Sequence, residues 1–233
     1  MHKRKLYSIR KYGFEFLTIF IGVLAAFALD NWNDNRKDHS IEINILSEIN
    51  KGLSQDIKDI GLNEEGHKAG LLATRYFAKL LLDKPYKTDS LYQHYFNLLR
   101  DFISVQNISG YETLKSKGLE IITNDSLRTE ILALYENDYN TLRKLEEDYA
   151  ELQFFESYHK DFDNSMAPNF IMDKNGNFQG IKHPMKLTAK EKNILLVDLW
   201  KIQSNRVFIL NVYADVKTKI LKLQHQLAKE LNR

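Results

Sequence analysis

The chain has 233 residues, with 33 Lys and Arg against 31 Asp and Glu, a formal net charge of +2, no cysteine, three prolines and ten glycines. That length holds one good-sized core or a small domain with an anchor, and the balanced charge gives no electrostatic reason to expect nucleic acid as a partner. The lack of cysteine excludes disulfides, thiolate catalysis, zinc fingers and cysteine-held clusters. So little Pro and Gly, with Leu and Ile recurring at spacings of three and four, argues against a turn-rich sandwich or barrel and predicts an all-α protein.

Residues 1–11 break the charge mixture, carrying Lys3, Arg4, Lys5, Arg10 and Lys11 with no acid before Glu15. From Tyr12 to Leu29 the chain is apolar except for Glu15 and Thr18, and continuing to Trp32 gives the ~20 residues that cross a hydrocarbon core as a helix. Tyr12 and Trp32 bracket this segment as interface anchors. The basic cluster precedes the span, whereas Arg36 and Lys37 follow it among Asp30, Asp34 and Asp38. This asymmetry orients residues 1–11 to the cytoplasm, 12–32 across the inner membrane and 33–233 to the periplasmic side of a Gram-negative envelope. Membrane lipid is thus an expected partner. The rival reading is a cleaved leader, since Ala26-Phe27-Ala28 offers a small-x-small pattern, although the apolar run is longer than a leader's.

Glu15, Thr18, Gly22, Ala25, Ala26 and Leu29 share one side of the span. Small residues let helices approach closely in lipid, so Thr18, Gly22, Ala25 and Ala26 are the candidate packing residues, for a second copy or a partner span; the alternative is ordinary tolerance of small residues. Glu15 is an intramembrane carboxylate. It either reaches back to headgroup water and basic residues or, if copies ring an axis, lines a cation or proton path.

The stretch "FEFLTIFIGVLAAFALDNWND" followed by "RKD" resembles the N-terminus of an uncharacterised single-span family widespread in Bacteroidota, in which a glutamate opens the span and a D/N-N-W-N motif closes it. "SGYETLKSKGLEIITNDSLRTEILALYENDY", Ser109 to Tyr139, is similar to that family's Y-x-x-L-x-x-x-G element and following helix. The resemblance covers about 55 residues. It implies the topology and a helical domain, and carries no activity.

Beyond the span, Ile41, Ile45, Ile49, Leu53, Ile57 and Ile60 keep helical spacing, so the helix continues outward until Gly61 and Gly66 interrupt it. A second helix carries Leu71, Leu72, Phe77, Leu80 and Leu81 and ends before Pro85. A third runs from Asp89 to Phe102. Ser109 to Gly118 reads as a short helix closed by a left-handed Gly118. A long helix follows from Ser126 to Tyr158. Residues 160–187 form an irregular flap in which Asn175-Gly176 signals a β-hairpin. Thr188 and Glu191 make a capping box, and a final helix carries Leu195, Leu199, Ile202, Ile209, Tyr213, Val216, Ile220, Leu223, Leu227 and Leu231, with a bend near Ser204-Asn205. The predicted architecture is a transmembrane helix followed by an extracytoplasmic antiparallel helical bundle with a small hairpin insertion.

Signs of catalysis are weak. No phosphate-cradling loop, nucleophile elbow or HExxH motif is present. His159, Asp161 and Asp163 would point one way on an extended chain and bind a metal, but a solvated helix end explains them as well. Asp173, Asn175 and Asn177 fail the calcium-loop pattern, since the glycine falls too early and Pro184 stands where the closing acid belongs. Glu146-Glu147 reads as a solvated helix face. The 12 tyrosines and 13 phenylalanines are expected mainly in the core, with any exposed excess forming a partner surface. No cofactor or metal is expected. The leading reading is a non-enzymatic membrane-anchored scaffold or accessory subunit that assembles as a homo-oligomer or with another envelope protein. The alternatives are a small homo-oligomeric channel with Glu15 facing the pore, and a periplasmic ligand sensor.

Overall fold

The computed structural model describes residues 2–87 and 90–232, with side chains from Phe14 onward. The described residues are mostly helical (81%) and include one small antiparallel sheet. The first helix, α1 (His2–Leu81), runs 80 residues without a break, about 120 Å at 1.5 Å per residue. The expected interruption at Gly61 and Gly66 is therefore absent, and the first two predicted helices are one. Gly66 serves close approach instead. A Cβ there would lie 2.2 Å from the Phe102 ring, so only glycine lets the segment after the next helix lie against α1.

Side chains 14–40 of α1 are exposed, apart from a half-buried Asn33. This part contains a segment long and apolar enough to cross a membrane, with none of its most apolar window buried. From Ile41 the helix enters the domain, and Ile45, Ile49, Leu53 and Ile60 become core.

Three short helices follow: α2 (Leu91–Leu98), α3 (Ser109–Lys117) and α4 (Asp125–Leu132). The first is shorter than its apolar spacing predicts, because residues 101–108 leave the helix to lie along α1. Their amides are satisfied by carboxylates: Asp59 accepts from the Val105 amide at 2.8 Å and Asp56 from the Asn107 amide at 2.7 Å. Gly118 ends α3 at φ 99° and ψ 135°, a positive-φ cap outside the left-handed helical region that was expected.

The single helix expected from Ser126 to Tyr158 is divided. A π-helical turn, Ala133–Asp138, joins α4 to α5 (Tyr139–Asp148), and α6 (Phe154–Met166) begins after a short 3₁₀ turn. The restart has an identifiable cause: Asp101 accepts the Phe154 amide hydrogen at 2.6 Å, capping α6 from a distant part of the chain.

The hairpin pairs β1 (Phe170–Met172) with β2 (Phe178–Ile181) in antiparallel register, Phe170 opposite Ile181, with an irregularity between Ile171 and Met172. Gly176 takes φ 82° in its turn, and Asp173 accepts the Asn175 and Asn177 amides at 2.8 Å each. These bonds account for the Asp173, Asn175 and Asn177 spacing that superficially resembles a cation loop.

The last helix, α7 (Ala189–Leu231), opens with the expected capping box: Thr188 Oγ1 accepts the Glu191 amide at 3.2 Å, and Glu191 accepts the Thr188 amide at 2.7 Å. It runs back along α1 in the opposite sense, Lys192 reaching Asp83, Lys217 reaching Glu64 and Gln224 reaching Ser54. There is no break at Ser204-Asn205. The gap in the apolar stripe there is filled by a buried arginine, Arg206.

Candidate functional site

The residues singled out in the span are not gathered into a site. Glu15, Thr18, Gly22, Ala25 and Ala26 lie on the exposed part of α1 that precedes the domain core. The Thr18 hydroxyl donates to the Phe14 carbonyl at 2.8 Å within its own helix, and a Cβ on Gly22 would have open space around it. Trp32 is 62% exposed, with the Arg36 guanidinium 5.3 Å from its ring; this places a cation beside the aromatic edge of the apolar run. The Tyr12 side chain lies outside the described residues.

At the other end of the domain, aromatic side chains gather at the surface. On α2, Tyr92 and Phe96 stand outward with ring centroids 4.7 Å apart. From α6, Phe155 is exposed and stacks on His159 at 4.2 Å. Between the two helices lies a groove of about 520 Å³, with Arg100, Gln93, Asn97 and His159 as its polar margin. A second recess of about 190 Å³, wholly apolar, opens on the other side of the Tyr92–Phe96 ridge against Phe170, Met172 and Phe178 of the hairpin. Two groups hold this surface in place. Phe170 packs edge-on against Tyr95 at 5.3 Å. Asn169, fully buried, accepts the Lys186 amide at 2.7 Å and donates to the Ser165 carbonyl at 3.1 Å, pinning the hairpin base.

This surface stands well away from the apolar run. Tyr76 of α1 stacks on His94 of α2 at 4.4 Å, and the helix from Trp32 to Tyr76 rises roughly 65 Å. Rigid aromatic side chains with polar edges bury large area at low entropic cost, which makes such a patch chemically suited to hold an apolar segment.

Behind it lies a polar interior that sequence spacing did not reveal. Arg206 is fully buried and donates through Nη2 to the carbonyls of Leu98 at 2.9 Å, Arg100 at 3.0 Å and Asn97 at 3.3 Å. It therefore closes the C-terminus of α2, where a cation complements the exposed carbonyls. Its Nη1 meets His67 Nδ1 at 3.0 Å, and Phe154 lies 4.0 Å beneath the guanidinium. Burial pushes Arg206 down to about 10 and His67 down to about 3. At neutral pH the pair is thus arginine cation and neutral imidazole. Glu146, expected on a solvated face, is buried instead. It accepts from the Tyr213 hydroxyl at 2.5 Å, the Ser104 hydroxyl at 2.8 Å and the Ser104 amide at 3.1 Å, and burial raises it to about 6. The distant acceptors Asp56, Asp59, Asp101 and Glu146 all serve to hold residues 101–107 or the start of α6. These acids have structural work.

His159 and Asp163 pair at 2.9 Å as i,i+4 neighbours on α6, and the helix turns Asp161 about 200° away from His159. Among the described residues no group of three or more His, Asp or Glu side chains is placed to hold a metal ion. Comparison of the chain with protein-family models, curated proteins and solved structures gave no match.

Proposed function

We propose that this is a non-enzymatic, single-span inner-membrane protein whose periplasmic antiparallel bundle scaffolds another envelope protein. The docking face is the aromatic surface of α2, α6 and the hairpin. One observation carries the reading: exposed Tyr92, Phe96 and Phe155 flank a groove at the far end of the domain from an unburied apolar helix. Contiguous exposed aromatics mark interaction sites. The resemblance to the Bacteroidota single-span family agrees with the same topology.

The test is purification of the tagged full-length protein from native membranes in mild detergent, wild type beside Phe96→Ser/Phe155→Ser. Both phenylalanines are exposed, so the variant keeps its core. A stoichiometric protein that accompanies the wild type and is lost from the variant is the expected result. Identical sets of accompanying chains would refute the docking face. Protease digestion of the domain in intact spheroplasts checks the orientation, and protection there would reverse it.

A further inference from the structure

α7 carries two heptad stripes. The inward stripe, from Leu195 to Leu227, is buried. Two residues out of phase with it, roughly 200° around the helix, a second stripe runs from Val197 to His225 in alternating steps of three and four, and every member is exposed. Its large members are Val197 (42% exposed), Trp200 (66%), Val207 (45%) and Leu221 (55%). Between them lie Ser204, Asn211, Ala214 and Thr218. A helix with one face in its own core has no need of a second periodic seam facing water.

We infer that this outward seam is a parallel, two-fold interface with a second copy of the chain. The occupant follows from two features. The first is orientation, which rests on the membrane reading above. Copies anchored by the same span send α1 away from the membrane in one direction, and α7 returns against α1. Their α7 helices are therefore parallel, whereas an antiparallel pairing would set the two spans at opposite ends. The second is self-complementarity. Parallel, in-register helices place each seam residue against its own counterpart, and Ser, Asn and Thr side chains each donate and accept. Asn211, near the middle in the a phase of the heptad, is the residue that selects register and two strands. Lys217 and Lys222 would face each other across the two-fold as like charges, and ion pairs within each chain, to Glu64 at 2.9 Å and to Glu130 at 2.8 Å, reduce that repulsion. Confinement to one membrane raises the effective concentration of copies, so a seam with small layers suffices.

The chain contains no cysteine, so a single introduced thiol reports only itself. In native membranes the full-length variants Val197→Cys, Val207→Cys, Ala214→Cys and Leu221→Cys are oxidised beside Lys219→Cys, an exposed position off the seam. Several-fold more covalent dimer at all four seam positions than at Lys219→Cys is expected. Dimer no greater than that control, or confined to one of the four positions as an antiparallel crossing would give, overturns the inference. Ala214→Glu, on an exposed site that the core does not use, is expected to abolish the Val207→Cys dimer and yield a monomer mass in nanodiscs; persistence of the dimer overturns it. Alkaline extraction of the same membranes separates the two readings. A chain released by alkali refutes the span, and a retained monomer refutes the seam alone.

Discussion

Replacing Arg206 by methionine tests whether one buried cation organises the far end of the domain. Arg206→Met removes three charge-assisted bonds to the carbonyls of Asn97, Leu98 and Arg100, worth together about 6 kcal/mol at the typical value for bonds to a charged group. It also relieves the burial that lowers the guanidinium from 12.5 to about 10, a gain of about 3 kcal/mol. The expected net loss is about 3 kcal/mol, which for a domain of this size lowers Tm by about 6–12 °C. Far-UV circular dichroism melts of the full-length protein in detergent read it. Gly70→Ala sharpens the test, because a Cβ there would lie 2.3 Å from Arg206 Nε. In the wild type the methyl must displace a side chain held on three carbonyls, so it destabilises. In the Arg206→Met background a flexible thioether yields, and alanine's helix preference over glycine gives up to ~1 kcal/mol in the opposite direction. The sign of the Gly70→Ala effect should therefore reverse. Additivity within about 0.5 kcal/mol, or an Arg206→Met melt within about 2 °C of wild type, would refute the account.

Glu146 supplies a pH dependence. Its carboxyl rises from 4.5 to about 6 on folding, so the folded state holds that proton more tightly than the unfolded chain does. The associated stability is present below the unfolded value and is lost as pH rises through the folded one, about 2 kcal/mol by pH 7. Glu146→Gln should gain stability relative to wild type between pH 4.5 and 7 in denaturant titrations; a pH-independent difference would show that the carboxyl does not titrate there. Thr188→Ala removes the capping box of α7 and should cost about 1 kcal/mol, a Tm loss of about 2–4 °C. Loss of the accompanying protein from Phe96→Ser/Phe155→Ser, and the cysteine pattern along α7, complete the set.

The stripes of α1 and α7 were legible because they are periodic over many turns and packing follows period, but the continuity of α1 past Gly61 and Gly66 was not. What misled was reading breaks locally. Gly61 and Gly66 look like interruptions, yet the helix runs through both; Gly66, like Gly70 one turn on, receives a bulky side chain, Phe102 or Arg206, from elsewhere in the chain. The missing apolar residue between Ile202 and Ile209 resembles a bend, because an arginine is not expected in a core; only carbonyls supplied by the end of α2 make it tolerable. The restart of α6 depends on Asp101, far away in sequence, and no local pattern contains that. The π-helical turn at 133–138 keeps Leu134, Tyr135 and Tyr139 all buried, so its apolar spacing passed for one continuous helix. The aromatic surface was foreseen only as an exposed excess. The spacing of Leu91, Tyr95 and Leu98 marks the inward face of α2, and Leu91 and Leu98 are buried; that Tyr92 and Phe96 on the other face would meet Phe155 of α6 depends on neighbours far away in sequence.

The unbroken α1 has a mechanical consequence. A helix without hinge from the apolar run to the far end of the domain is a ruler. With its foot in a bilayer it would hold the aromatic groove at one altitude, and even a tilt of about 20° from the membrane normal shortens the roughly 65 Å rise by only about 4 Å. Selection of a binding partner then depends on height as well as on chemistry. Inserting one or two heptads between Trp32 and Ile41 would lift the groove out of register with a membrane-fixed partner while leaving every contact within the domain unchanged.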